Sequence, residues 1–161
     1  MARDSHVFER SVGLADVAAT DRLGARIAAG LAAGDAVALE GDLGAGKTTL
    51  ARAILRALGV TEDVPSPTFT LVQLYETRHL IIRHFDLYRI ERPGDVEELG
   101  LEEALGEGAA LIEWPERAWE KLPSEMLHIA LSVSGPCSRL ASLRGPARWA
   151  RAFEDMVDHV G

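Results

Sequence analysis

The sequence between positions 41 and 48 decides the fold, and it reads Gly41-Asp42-Leu43-Gly44-Ala45-Gly46-Lys47-Thr48. This stretch matches the phosphate-binding pattern G-x-x-x-x-G-K-[ST] at every position. Glycines allow the tight turn in which backbone N–H groups, here those of Gly44, Ala45 and Gly46, point at phosphate oxygens. The lysine can reach the β- and γ-phosphates, and the Thr48 hydroxyl can bind Mg²⁺. We therefore expect a nucleoside triphosphate, bound together with Mg²⁺.

Both flanks of this loop have the context that the pattern requires. Residues 36–40 are a short apolar run typical of a buried strand. Residues 47–58 have helical spacing, and Gly59 stands where a helix C-cap glycine belongs. The helix would direct its positive end at the phosphates, with Thr49 beside the α-phosphate. This context disfavours the alternative, a chance glycine turn that caps a strand.

The rest of the chain alternates helical and extended patterns. We expect helices over 16–33, capped by Asp16, over 95–105, capped by Asp95, and over 146–159, with strands over 69–76, 79–90, 109–113, 126–133 and 139–143. The strands 69–76 and 79–90 would form an antiparallel hairpin. Together these patterns predict an α/β, three-layer, P-loop NTPase-like domain with a mixed sheet that contains this hairpin.

Composition narrows the class of protein. The chain has 161 residues, which suits one domain over 1–161, with 47% apolar and 26% charged residues. These proportions exclude a disordered chain or a disulfide scaffold, and no apolar run approaches the roughly 20 residues of a membrane span. The N-terminus has no secretory signal and Cys137 is the single cysteine, so we expect a cytoplasmic protein. A net charge of −8 argues against unaided binding of nucleic acid.

Two acidic residues are candidates for the metal and the attacking water. Glu113 ends the apolar run 109–112, the position of an acid at the carboxyl end of a buried strand. Asp86 is also flanked by apolar residues, and its sequence context alone leaves function and a plain strand-end acid equally open. His84 has no second histidine at ligand spacing, which argues against zinc.

A proline-rich segment and a tryptophan are further candidates. The segment Ser66-Pro67-Thr68 is either a switch that reaches the γ-phosphate and its metal or a rigid turn that leads into a strand. Trp114 directly follows Glu113, and it either shields the acid from water, stacks on a base or belongs to the core.

Four strings in this order resemble one family. They are Gly-Asp-Leu-Gly-Ala-Gly-Lys-Thr-Thr at 41–49, Ser-Pro-Thr-Phe-Thr-Leu-Val at 66–72, His-Phe-Asp-Leu-Tyr-Arg at 84–89 and Leu-Ile-Glu-Trp-Pro-Glu at 111–116. The chain thereby resembles the bacterial TsaE (YjeE) family over about residues 10–140. The first string is shared with many families, whereas the last two are much more specific.

The resemblance implies an ATPase of tRNA threonylcarbamoyladenosine (t6A) biosynthesis. Such an ATPase works with TsaD, which transfers the threonylcarbamoyl group to adenosine 37, and with TsaB, which pairs with TsaD. By motif match, Lys47, Thr48 and Thr49 would take ATP and Mg²⁺, and Asp86 and Glu113 would take the metal or the water. The partners would hold the tRNA, which would suit an acidic subunit.

The resemblance also assigns less direct roles. Ser66 and Thr68 would belong to a switch-like loop, and Trp114 would lie near the active centre or the partner surface. On the adenine side, Thr20 and Arg139 are the residues nearest to the family's positions. The sequence Ser-Gly-Pro-Cys-Ser before Arg139 departs from the usual pattern, and the segment after 146 lies outside the resemblance.

Two other functions remain open on the sequence. The chain could be a small-molecule kinase, with Arg89, Arg92 and Arg117 as lid arginines around the transferred phosphoryl group. It could also be a module without enzymatic activity, in which bound ATP or ADP sets the affinity for a partner.

Overall fold

A computed structural model describes residues 7–65, 67 and 70–156, which include one seven-stranded sheet. The strands are β1 (Val7–Leu14), β2 (Ala36–Glu40), β3 (Val72–Glu76), β4 (Ile81–Asp86), β5 (Gly108–Glu113), β6 (Leu127–Val133) and β7 (Arg139–Pro146). Their order is β1-β7-β6-β2-β5-β4-β3. Strands β6, β2, β5 and β4 run parallel, whereas β7, β1 and β3 are antiparallel to their neighbours. The predicted mixed sheet is therefore confirmed.

Helices cover the two faces of this sheet. Helices α1 (Val17–Gly30) and α2 (Lys47–Ala57) pack on one face, with the apolar residues of β1, β6 and β7. Helices α3 (Asp95–Glu98) and α4 (Leu101–Glu107) pack on the other, over β2, β4 and β5. This is the three-layer arrangement that the sequence predicts, with the loop between β2 and α2 at the carboxyl end of the parallel strands.

The first helix and the loop helix follow their predicted patterns. The Asp16 carboxylate caps α1 and accepts a hydrogen bond from the Ala19 N–H at 2.9 Å. The helix ends at Gly30, four residues before the predicted Gly34. After α2, Gly59 has φ +101°, and its N–H bonds the Arg56 carbonyl, which is the expected glycine stop.

The helix expected over 95–105 is two helices, and this expectation was wrong. Gly100 has φ +86°, a left-handed conformation that ends α3 and begins α4. Asp95 is not a cap but the first residue of α3, and its carboxylate instead accepts the N–H groups of Glu91 and Arg92. The helical spacing of the apolar residues was correct, but the glycine inside it interrupts the helix.

The closing segment also differs from the predicted helix over 146–159. Strand β7 extends to Pro146, and a 3₁₀ helix follows from Ala147 to Phe153. Trp149 and Phe153 face inward, as expected, and the Phe153 ring stacks on Phe8 at 5.5 Å. Val157 lies outside the described residues.

The predicted hairpin is present but shorter than expected. Strand β3 begins at Val72 and β4 ends at Asp86, and the Thr77 hydroxyl closes the turn by donating to the Leu80 carbonyl at 2.7 Å.

In β6 the alternating sequence predicts that every second residue from Leu127 is buried. This prediction holds except at Val133, which is 61% exposed. None of the helices in the described ranges is long and apolar enough to cross a membrane.

Candidate nucleotide site

The glycine loop leaves β2 at Glu40 and enters α2 at Lys47. Gly41 has φ +148°, and a Cβ there would lie 2.7 Å from the Leu131 carbonyl oxygen, so a side chain has no room. Gly46 has φ +105° and is the N-cap of α2 without any side-chain cap. The first N–H groups of α2 therefore have no helical partner, and they form the anion-binding end of the helix.

Lys47 is 5% exposed, and it lies between the loop and a tryptophan. Its ammonium donates to the carbonyls of Gly41 and Asp42, the latter at 3.2 Å, and lies 3.8 Å from the centre of the Trp114 ring. Burial lowers the pKa of Lys47, although the nearby carboxylates, Glu113 foremost, oppose that shift. The ammonium is thus held at the loop by carbonyl oxygens and a ring face, contacts that phosphate oxygens can replace.

Glu113 connects the start of α2 with the centre of the sheet. The Thr48 hydroxyl donates to its carboxylate oxygens at 3.0 Å (Oε1) and 3.1 Å (Oε2). His84 Nε2 lies 2.6 Å from the Glu113 Oε2 atom. Glu113 is 2% exposed and His84 is fully buried. The predicted acid at the end of the apolar run therefore lies beside the hydroxyl of the loop.

Asp86 lies directly beside Glu113, because β4 and β5 are parallel and these two residues are register partners. Asp86 is 4% exposed, and its carboxylate accepts the Tyr88 N–H at 3.0 Å. The carboxyl ends of two neighbouring parallel strands thus bring both acids to the glycine loop.

Trp114 has φ +58° and ψ +48°, a left-handed conformation that is costly for a residue with a side chain. The turn directs the indole over the Lys47 ammonium and against the Tyr88 ring, whose centre is 4.7 Å away. Strained backbone of this kind persists where the surroundings hold it, often at functional sites. The structure therefore places Trp114 at the loop, where it is partly buried and also packs against the core under α3 and α4.

Two adjoining pockets lie along the loop. One has a volume of about 340 Å³ and is lined by Leu43, Gly44, Gly46, Lys47, Thr48, Thr49, Asp86, Tyr88, Glu113, Trp114 and Arg139. The other, of about 100 Å³, is lined by Leu14, Asp16, Val17, Thr20, Ala45, Gly46, Thr49, Leu131, Cys137 and Arg139. Both pockets are lined by Gly46, Thr49 and Arg139, and the smaller continues the larger past the loop toward α1.

Arg139 separates these pockets. Its guanidinium donates to the carbonyls of Ala45 at 3.1 Å and Gly44 at 3.4 Å. The residue is the first of β7, whose register with β6 brings its side chain back over the loop. Thr20, 8% exposed on α1, faces the smaller pocket.

Comparison with known proteins identifies the family. The family model described as "Threonylcarbamoyl adenosine biosynthesis protein TsaE" matches residues 14–140. The chain belongs to the TsaE family. A TsaE from Rickettsia felis is 41% identical over 125 residues, which are 77% of this chain and 73% of that protein. A TsaE from Nostoc is 42% identical over 135 residues, which are 81% and 82% of the two chains.

A solved structure agrees with the fold. Bacillus subtilis YdiB superposes with a TM-score of 0.77 at 31% identity, over 92% of this chain and 94% of that one. The P-loop fold and the membership in TsaE thus rest on both sequence and structure.

The donors of this TsaE chain fit Mg²⁺. No group of three histidine, cysteine, aspartate or glutamate side chains within the described ranges could alone hold a metal ion. Mg²⁺ does not need one, because it binds through one or two carboxylates, waters and the phosphates of its substrate. Thr48, Glu113 and Asp86 offer hard oxygen ligands on one side of the larger pocket.

The structure brings together most residues that the sequence singled out and adds two. Of the candidates for ATP and metal binding, all but Ser66 and Thr68, which lie outside the described residues, line the two pockets. The three candidate lid arginines, Arg89, Arg92 and Arg117, are not in the lining of either pocket. Tyr88 and His84 were not expected there. Tyr88 follows Asp86 by two residues and lies on the pocket wall. The sequence argued against a zinc site at His84 and suggested no other role for this residue. Its bond to Glu113 becomes visible only in the folded sheet.

Proposed function

We propose that this TsaE chain is the ATP-hydrolysing subunit required for threonylcarbamoylation of adenosine 37 in tRNA, in concert with TsaB and TsaD. The observation that carries the proposal is the contact of the buried Glu113 carboxylate with the Thr48 hydroxyl at the start of α2. That contact unites a metal-ligating hydroxyl, a carboxylate and the phosphate loop in one pocket. Membership in TsaE supplies the pathway.

The loop residues would bind the triphosphate. Backbone N–H groups of Gly44, Ala45 and Gly46, with those that begin α2, would face its oxygens. Lys47 would exchange its carbonyl and ring contacts for the β- and γ-phosphates, and Thr49 would bond the α-phosphate. Because Lys47 is already held at the loop, little rearrangement is needed.

Mg²⁺ would be held by Thr48 with Glu113 and Asp86, directly or through water. When bound, it neutralises charge on the transferred phosphoryl group. The carboxylate that does not bind it would orient the attacking water, a role that needs a fixed acceptor next to the γ-phosphate. Both acids accept hydrogen bonds from neighbouring groups, which supports such a role.

The adenine would occupy the smaller pocket, between Thr20 and Arg139. The hydrogen bond from Arg139 to the Ala45 carbonyl, and its position in the lining of both pockets, support this role despite the divergent sequence context. Trp114, with Ser66 and Thr68, would respond to the γ-phosphate or to the partners. We further propose that the chain works in the cytoplasm and that TsaB and TsaD, not this chain of net charge −8, hold the tRNA.

The test is ATP turnover by the purified chain, alone and then with TsaB, TsaD and tRNA, with Lys47→Ala as the blank. We expect weak turnover alone, a rise on addition of the partners, and none with Lys47→Ala, because the variant lacks the phosphate-binding cation. Omission of Mg²⁺ should abolish the activity. An ATP turnover rate that does not change when TsaB, TsaD and tRNA are added would contradict the proposed function.

The same assay separates the other functions. A small-molecule kinase would move labelled γ-phosphate to an acceptor instead of water. Of its supposed lid arginines, Arg92 is paired with Asp95 at 3.9 Å, whereas Arg117 lies 5.2 Å from the Tyr88 ring at the pocket. A binding module without enzymatic activity would bind TsaB–TsaD with different affinities in its ATP-bound and ADP-bound forms, and it would not hydrolyse ATP.

A further inference from the structure

We propose that His84 is a positioning residue, which holds one oxygen of Glu113 so that the carboxylate presents a single orientation to the Thr48 hydroxyl and the metal. The proposal rests on the function proposed above. Its basis is the 2.6 Å contact between His84 Nε2 and the Glu113 Oε2 atom, between a fully buried ring and a carboxylate that is 2% exposed.

Thr48 alone does not fix the orientation of this carboxylate. Its hydroxyl is nearly equidistant from the two oxygens, at 3.0 and 3.1 Å, and the terminal torsion of a glutamate has no sharp preference. The bond from His84 reaches only Oε2, at a distance typical of a charge-assisted hydrogen bond. His84 therefore makes the two oxygens different, and Oε1 stays available for a ligand or a water.

The ring itself is held by its surroundings. His84 lies in β4 between β3 and β5, with Gln73 and Leu111 as register partners. Since Nε2 faces a carboxylate oxygen, we assign the proton to Nε2. The Nδ1 atom is buried and has no hydrogen-bond partner within the described residues. Such an unpaired atom lowers stability, and an apolar side chain would avoid it, so stability alone does not account for a histidine here.

Strand β4 would therefore serve both acids of the site. Residues two apart on a strand share a face, so His84 and Asp86 both point to the side of α2. Asp86 would contribute its own carboxylate, and His84 would orient the carboxylate of the adjacent strand. Partners of this kind, one step removed from a metal ligand, typically change affinity or activity about 10- to 100-fold when they are replaced.

Two substitutions at this position separate orientation from packing. His84→Gln retains an amide N–H at about the reach of Nε2, whereas His84→Leu removes the donor. In the assembled system we expect His84→Leu to lower kcat about 10- to 100-fold. KM for ATP should stay within about threefold, because the phosphate contacts remain. His84→Gln should restore most of kcat. A folded His84→Leu protein with wild-type kcat, or equal losses in both variants, would overturn the proposal.

A matched control exists on the opposite face of the sheet. His128 in β6 is also a strand histidine whose buried Nδ1 has no partner in the described part of the chain, but it packs on Trp119 away from the loop. His128→Leu and His128→Gln should both keep wild-type kcat. Loss of turnover in these variants equal to that of His84→Leu would show a general effect of altering buried histidines and count against positioning.

Two measurements do not depend on turnover. Mn²⁺ binding to the ATP complex, followed by electron paramagnetic resonance, should weaken about tenfold in His84→Leu and little in His84→Gln. In urea unfolding of the nucleotide-free protein, the shifts for His84→Leu and Glu113→Ala should not add in the double variant. Additive shifts or unchanged Mn²⁺ affinity would refute positioning. A wild-type chain without turnover would instead refute the proposed function and leave both measurements valid.

Discussion

Glu113 and Asp86 are almost completely buried carboxylates, and buried polar groups of this kind need hydrogen-bond partners. Glu113 obtains them from Thr48 and His84, and Asp86 obtains one from the Tyr88 backbone. The nearby ammonium of Lys47 interacts electrostatically with both carboxylates. These contacts hold both carboxylates at the carboxyl ends of their strands, beside the glycine loop.

Glu113→Gln tests the role of the first acid. The substitution keeps shape but removes the charge that would bind metal or orient water. We expect turnover in the assembled system to fall by a factor on the order of 10² or more, with ATP affinity largely retained. Steady-state kinetics and calorimetry of ATP binding give the two quantities. ATP hydrolysis at the wild-type rate by this variant would show that Glu113 has no role in the reaction.

Glu40, at the end of β2 just before the loop, gives the stability a dependence on pH. Burial and, to a lesser extent, the Glu116 carboxylate raise the pKa of Glu40 above its ordinary 4.5, and Arg144 opposes them. A glutamate whose pKa is higher in the folded protein binds more protons there. The free energy of unfolding therefore decreases as pH rises through the interval between the unfolded and folded pKa values.

Glu40→Gln should remove this dependence. We expect a higher urea midpoint than wild type at pH 7, and no gain below about pH 4, where Glu40 is protonated in both states. The control is Glu76→Gln, which removes an exposed carboxylate at the end of β3. A gain that is the same at both pH values would contradict the titration of Glu40.

Elements of this chain begin and end at identifiable residues, and the clearest case is the glycine between α3 and α4. Gly100 has φ +86°, whereas Gly106 lies inside α4 with φ outside the left-handed range; neither would meet an atom within 4 Å if a Cβ were added. Space is thus equal at the two positions, and only the backbone conformation differs.

Alanine at these two positions should have opposite effects. Gly100→Ala should lower the free energy of unfolding by about 1 kcal/mol, because a left-handed conformation is unfavourable for alanine. Gly106→Ala should raise it by about 0.5 kcal/mol through helix propensity. Chemical denaturation measures both, and each variant serves as the other's control. Equal signs would contradict the break at Gly100.

Most of β1 and the 3₁₀ helix from Ala147 lie outside residues 14–140, the range that matches the TsaE family model. Strand β1 pairs with β7 along its whole length, and the 3₁₀ helix from Ala147 packs Trp149 and Phe153 against α1 and β1. A Cβ on Gly30 would lie 2.7 Å from the Trp149 ring, which shows how closely this segment covers α1. Both segments contribute buried residues to the core, and Leu14 of β1 also lines the smaller pocket.

The whole chain carries a net charge of −8, which bears on the tRNA. Phosphate contacts supply most non-specific affinity for nucleic acid, and an acidic chain makes few of them. We expect the isolated chain to bind tRNA with a Kd weaker than about 10⁻⁴ M at physiological salt. Binding of labelled tRNA, with the TsaB–TsaD complex as the positive control, checks this. If the isolated chain bound tRNA as tightly as the TsaB–TsaD complex does, this chain would itself recognise the tRNA and the prediction would be wrong.

Local sequence patterns were enough to predict many of the strands and helices of this chain. The loop from Gly41 to Thr48 predicted its own geometry, the strand before it and the helix after it, because glycine conformations and phosphate binding depend on neighbouring residues only. The ends of α1, β4 and the 95–107 region were less accurate. Their bounds depend on which strands pair and where a glycine adopts a positive φ, and periodicity does not report either.

The sequence by itself determined the class of fold, and it predicted the phosphate loop and the two acids, since each of these signals lies in contiguous residues. Only the tertiary structure decided that Asp86 and Glu113 are register partners, that Trp114 covers Lys47, and that His84 bonds Glu113. These contacts join residues far apart in the chain, and the bond between His84 and Glu113 spans 29 positions. They exist because parallel strands bring their carboxyl ends to one edge, and strand pairing is a property of the whole sheet.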